Sequence, residues 1–164
     1  MLAPLSTVAK PIEVRGIGVR EATFKGIPDQ ETNFTLFEPV QLGEHHADTS
    51  GPRALLAKVR PNQDISAAIE GICSCHGIGR ANVYGIGSLN GVRFTDGSQV
   101  DSHATEVLIR NGTVESTDNR LEARLAVDVV DIEGRISSGE LAHGDNPVCV
   151  TFELVIEVLE GESR

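Results

Sequence analysis

Two runs of strict alternation constrain the fold of this chain more than any other feature. In the first, Leu121, Ala123, Leu125, Val127 and Val129 are apolar, with Glu122, Arg124, Ala126 and Asp128 between them. In the second, Val150, Phe152, Leu154, Ile156 and Val158 share one phase, opposite Thr151, Glu153 and Glu157. Successive strand side chains point to opposite faces, so a period of two reads as a half-buried strand; on a helix the same five positions would scatter around the axis. Long strands with one apolar face need a sheet around them and a second layer over that face.

The period turns helical in one place. Ile65, Ile69, Ile72 and His76 follow helical spacing, with Ala68 and Cys75 beside that stripe; Asp64 is a suitable N-cap, and Gly77 and Gly79 can close the helix. Further strands are expected over Ala54–Arg60, which Pro61 stops, and over 81–86, 92–94, 105–109, 113–115 and 135–137, the last entered by the turn Asp131-Ile132-Glu133-Gly134. The connections are too short for parallel crossovers. The expectation is therefore an α+β fold, an α/β sandwich in which one main amphipathic helix packs on a largely antiparallel sheet. Residues 1–52 read as an irregular N-terminal arm and connection. Ile12-Glu13-Val14 alternates briefly, Gly26, Pro28, Asp29, Pro39 and Gly43 punctuate the rest of the arm, and His45 to Pro52 is polar and turn-prone. Residues 53–160 form the regular domain and 161–164 a tail.

Composition narrows the partners. Fourteen basic against 24 acidic residues give a formal charge of −10, which opposes approach to polyanions such as DNA or anionic lipid. No run approaches the 18 or so apolar residues of a membrane span, and the N-terminus lacks a basic start followed by an apolar stretch, so a cytoplasmic protein without a membrane partner is expected. Three cysteines are an odd number, which argues for reduced thiols over a secreted disulfide framework.

Individual motifs are weaker. Gly85-Ile86-Gly87-Ser88-Leu89-Asn90-Gly91 invites a phosphate-loop reading, but its third glycine comes one residue late and a strand follows; Gly85, Gly87 and Ser88 read instead as a structural turn between strands. Cys73, Cys75 and His76 hold metal-type ligands, yet residues two apart on a helix diverge, and the cysteines read as small buried hydrophobes. His143, within Gly139-Glu140-Leu141-Ala142-His143-Gly144-Asp145, is the histidine best placed for acid–base or metal chemistry. Hydrolase elbow, zincin helix and P-loop signatures are absent, so no catalytic residue is assigned.

Three segments taken in order, Arg60-Pro61-Asn62-Gln63-Asp64-Ile65, Gly85-Ile86-Gly87-Ser88-Leu89 and Asp131-Ile132-Glu133-Gly134-Arg135-Ile136-Ser137-Ser138-Gly139-Glu140-Leu141, resemble the plants and prokaryotes conserved (PPC) domain over about 53–160. The resemblance implies an α/β sandwich that assembles as a homotrimer. It also implies a DNA association: plant members accompany AT-hook motifs, and bacterial members stand alone under a DNA-binding label. An Arg-Gly-Arg-Pro-like AT-hook core is missing here; Gly51-Pro52-Arg53 runs in the wrong order. Plant members carry Gly-Arg-Phe-Glu-Ile-Leu as a partner-binding edge, which corresponds to His103-Ala104-Thr105-Glu106-Val107-Leu108, with Glu106 and Leu108 identical. Many prokaryotic members are similar to a metal protein with a His-x-His pair and a third His. Those positions fall on Arg124, Ala126 and Glu140, so two ligands are lost, and neither metal nor another cofactor is expected unless Glu140, His143 and Asp128 rebuild a site.

Two functions compete on this reading. One is a homotrimeric, DNA-associated regulatory module acting through a regulatory protein or small ligand. The other is an enzyme or small-molecule binder, with Glu106, Arg135, Glu140 and His143 lining a cleft and Arg124 or Arg135 gripping a carboxylate or phosphate through two hydrogen bonds. Convergence of those side chains favours the binder; a continuous basic face favours DNA.

Overall fold

The computed structural model describes residues 7, 9–11, 13, 16–30, 33–43, 53–118 and 120–159. Its elements are β1 (Ala22–Pro28), β2 (Thr35–Gln41), β3 (Ala54–Val59), α1 (Ile65–Cys75), β4 (Arg80–Leu89), β5 (Val92–Arg93), β6 (Gln99–Val100), β7 (Thr105–Thr117), β8 (Arg120–Asp131), β9 (Ile136–Glu140) and β10 (Val148–Val158). Six strands form the main sheet in the order β3-β10-β4-β7-β8-β9, every neighbouring pair antiparallel. The fold is α+β, as the alternation predicts. No described helix is long and apolar enough to cross a membrane.

One sheet face and α1 enclose the core. Leu125, Val127 and Val129 of β8 and Phe152, Leu154 and Ile156 of β10 are buried with Ile65, Ile69 and Cys73 of the helix. Both alternating runs thus put their apolar phase under α1; Val150 stays half-buried because a register shift between Val148 and Phe152 turns the strand, and Val148 fills the core in its place. Asp64 caps α1 by accepting the Ala67 amide at 2.9 Å, and His76 is the C-cap. The buried stripe runs through Cys73, leaving Cys75 and His76 exposed, so the expectation of two buried cysteines holds for one only.

Other differences have local causes. The strands expected at 105–109 and 113–115 are one strand, β7, carried through a register shift between Ile109 and Asn111. The segment expected to be an irregular arm holds the β1–β2 hairpin, a two-stranded sheet. Of the arm, Ile12, Val14 and the connection 44–52 lie outside the described residues, as does the tail 161–164. Gly85 and Gly87, with Ser88, lie inside β4 and do not form a turn.

Candidate functional site

Opposite α1, the main sheet keeps an open face, while on its core face glycines let β4 and β10 lie close together. A Cβ on Gly87 would stand 2.5 Å from both Phe152 Cγ and the Thr151 carbonyl oxygen, and one on Gly85 would stand 2.5 Å from the Glu153 carbonyl oxygen. The glycine cluster is therefore a packing device, with no room for phosphate. Between these glycines Ile86 points outward at 59 % exposure, opposite Leu108 at 49 %. Val130 pairs with Ile136, itself 73 % exposed, and Ile132 beyond them is 62 % exposed. An apolar band thus crosses β4, β7, β8 and β9 in water.

The hairpin leans over part of this band and makes a cleft of about 420 Å³, with Phe37, Ile86, Val130, Ile132 and Val150 among its walls and Glu106, Thr151 and Glu153 among its polar groups. Lys58 of β3 pairs with Glu38 of β2, tying the hairpin to the sheet. Burial pushes the Glu153 carboxyl above the ordinary glutamate range; the Thr151 hydroxyl and Lys58 pull it back, and the charge of Glu106 adds to the rise. Thr151 Oγ1 and Glu153 Oε1 are shielded from solvent, and neither completes a hydrogen bond of normal geometry among the described residues.

A second cleft, about 440 Å³, lies at the edge where β8 runs past the end of β9, and its walls include Glu70, Glu122, Glu140 and His143. Glu70 Oε1 accepts the Ala123 amide and meets His143 Nε2, each at 2.9 Å. Beneath this edge the Cys73 thiol is pushed up to about 11 by burial, with Glu70 adding to the rise, which leaves it a core group and not a nucleophile.

The five candidate side chains do not converge. Glu106 belongs to the first cleft, whereas Glu140 and His143 belong to the second. Arg124 lies along Glu122, with Nη2 at 3.2 Å from Oε1. Arg135 closes its own turn: its amide and that of Glu133 donate to Asp131 Oδ1, while its Nε donates to Oδ2 at 2.7 Å. That guanidinium holds the Asp131 carboxyl below the usual carboxylate range, assisted by the backbone amides. Both arginines are engaged within the chain, so the two-bond grip on a ligand finds no support in this geometry. Among the described residues Arg93, Arg110, Arg124 and Arg135 each face a carboxylate, which interrupts the basic surface at those positions. The stretch 103–108, which corresponds to the plant members' partner-binding segment, leads into β7, in the middle of the sheet and not at an edge, with Glu106 and Leu108 both facing outward.

Residues 46–160 match the family model of the Plants and Prokaryotes Conserved (PCC) domain. The chain belongs to this family. Solved structures agree on the PPC fold. A PPC protein from Pyrococcus horikoshii is 22 % identical, with a TM-score of 0.56 over 68 % of this chain and 81 % of its own. A protein from Bacteroides thetaiotaomicron, provisionally named DNA-binding, is 14 % identical with a TM-score of 0.56 and covers 87 % of each chain, so that likeness extends outside 46–160. A metal-containing protein from Archaeoglobus fulgidus is 17 % identical, with a TM-score of 0.54 over 68 % of this chain and 82 % of its own. No curated protein matches the chain.

The metal positions implied by the PPC resemblance lie together, because Ala126 pairs directly with Glu140 and Arg124 is next along the same face of β8. Their residues do not fit a metal ion. Ala126 offers no donor atom, and Arg124 places a cation where the first ligand would stand. The alternative set fares no better: Asp128 binds Arg110 and the Ser138 hydroxyl, while His143 is held by Glu70. Among the described residues no three His, Cys, Asp or Glu side chains gather as a metal site.

Sequence reasoning missed three residues that organise these surfaces: Glu70, Asn146 and Glu153. Glu153 is legible only as the polar phase of its strand. Asn146 carries no motif, yet it is fully buried and makes four hydrogen bonds through its amide and side chain.

Proposed function

We propose that this protein is a homotrimeric PPC module with a DNA-associated regulatory role, acting through a protein partner or a small ligand and not by gripping duplex DNA itself. The observation that carries the reading is the apolar band on the open sheet face, whose members Leu108 and Ile136 lie clear of the hairpin cleft and are free to meet another copy. Soluble monomers seldom leave such a patch in water, whereas an interface between copies would bury it. The DNA association comes from the family's naming, as in the Bacteroides relative; the acidic charge favours an indirect route.

Light scattering on the purified chain is the test, compared with the double variant Leu108→Glu, Ile136→Glu. Three copies per particle, falling to one in the variant, is the expected result. A parent chain that stays monomeric at micromolar concentration would overturn the assembly.

A further inference from the structure

We propose that the cleft between the β1–β2 hairpin and the open sheet face binds a small organic cation, a primary amine or guanidinium on a short apolar body. The proposal rests on the small-ligand part of the reading above and names the ligand's chemistry.

Size and lining set the class. At about 420 Å³ the cleft falls within the roughly 300–1,000 Å³ usual for small-molecule sites. Phe37, Ile86, Val130, Ile132 and Val150 supply apolar walls suited to a few methylene groups, and the exposed Phe37 ring adds an aromatic surface that attracts cations.

Charge sets the head group. Glu106 and Glu153 are close enough that one raises the pKa of the other, and both line the cleft. Lys58, the cation whose charge reaches Glu153, is already paired with Glu38. Asp131, a third carboxylate of the lining, is satisfied by Arg135. The Glu106–Glu153 pair therefore gives the cleft a negative lining, and Glu153 Oε1 and Thr151 Oγ1, shielded and without a partner among the described residues, become acceptors for a ligand once the half-buried Glu153 side chain turns into the cleft. An ammonium brings three donors and a guanidinium five, so either can satisfy these oxygens while its body lies along the apolar walls. Anions are repelled by the same carboxylates. A hard divalent ion would need about six oxygen ligands, which walls of Phe, Ile and Val do not supply.

The experiment is a calorimetric titration of the full-length assembled protein with n-hexylamine, set beside n-hexanol, hexanoate and magnesium chloride, with the particle mass followed by light scattering. Saturable binding of hexylamine is expected, at least tenfold tighter than that of the other three. Glu153→Gln should weaken it at least tenfold at unchanged particle mass. Because that residue is partly buried, Glu106→Gln, at an exposed position, provides the second variant and should also weaken it severalfold. Equal binding of hexanol, tighter binding of magnesium, no saturable hexylamine binding, or full affinity in both variants would each overturn the proposal. A monomeric particle that still binds hexylamine through Glu153 would overturn the assembly and leave the cleft standing.

Discussion

Glu153 shows how a single carboxyl carries information that its strand does not. Its pKa is raised chiefly by burial, so over a window that starts at the ordinary glutamate value, about 4.3, the folded chain holds a proton that the unfolded chain has lost. Stability gained from this group is therefore complete at acid pH and falls as pH rises through the raised value. Glu153→Gln removes the titration while keeping the shape. The variant is expected to be more stable than the parent at pH 7, with the difference shrinking to nothing toward pH 4, in urea denaturation series across that range. Parallel stability curves would refute this. Alternation puts Glu153 on the correct side of its strand, because a period of two reports which face a residue takes. It does not report what lies over that face, and here the cover comes from Phe34 to Phe37, more than a hundred residues earlier in the chain. Arg135 is more legible than a ligand-gripping role allows. Its partner Asp131 lies four residues back across Gly134, whose φ of 80° closes the turn, so local chemistry alone accounts for the guanidinium.

Elements are legible where their period is long and uninterrupted. Helix α1 and strands β8 and β10 declare themselves through five or so apolar positions each, and the N-cap at Asp64 fixes where the helix starts. The β1–β2 hairpin does not, since Gly26, Pro28 and Pro39 interrupt its pattern. A two-stranded sheet has only edges, and an edge tolerates a proline whose missing N–H faces away from the partner; Pro39 pairs with Phe24 inside the ladder. At two residues each, β5 and β6 are too short for any periodicity. The joints between elements are also invisible in a period. Asn146 donates through Nδ2 to the carbonyls of Arg93 and Ala142, accepts the Arg93 amide at 2.8 Å, and donates its own amide to Asp64 Oδ2 at 2.9 Å. It thus locks β5, the approach to β10 and the cap of α1 together. Asn146→Ala would leave the Arg93 amide and two carbonyls without their partner, and a loss of about 3 kcal/mol is expected from several buried polar groups left unsatisfied. Chemical denaturation measures it. A loss below about 1 kcal/mol, within the range of a single ordinary hydrogen bond, would show that water replaces the amide at no cost.

For the whole molecule the deciding quantity is charge, and it bears on the DNA association that PPC relatives carry by name. Duplex affinity is supplied largely by Lys and Arg side chains that displace counterions from phosphates, and each useful contact needs a cation free to leave its present partner. Fourteen basic residues stand against 24 acidic ones, and five of the fourteen, Lys58, Arg93, Arg110, Arg124 and Arg135, already face carboxylates. Freeing any of these for a phosphate would expose its acidic partner to the same polyanion, so the gain is offset where it arises. Assembly into a trimer would multiply the net charge of −10 threefold and strengthen the repulsion before contact. The open sheet face gives little help, because its exposed centre is apolar around Glu106 and its arginines, Arg110 and Arg124, are paired with Asp128 and Glu122. The expected outcome is no saturable binding of a labelled duplex at micromolar protein in a fluorescence-anisotropy titration at about 150 mM salt, where the screening length is about 8 Å. Lowering the salt should not rescue it, since long-range repulsion grows as screening weakens. Binding at micromolar or tighter affinity that falls steeply as salt rises would mean that a local cationic surface overcomes the net charge, and would make direct contact with DNA the leading function.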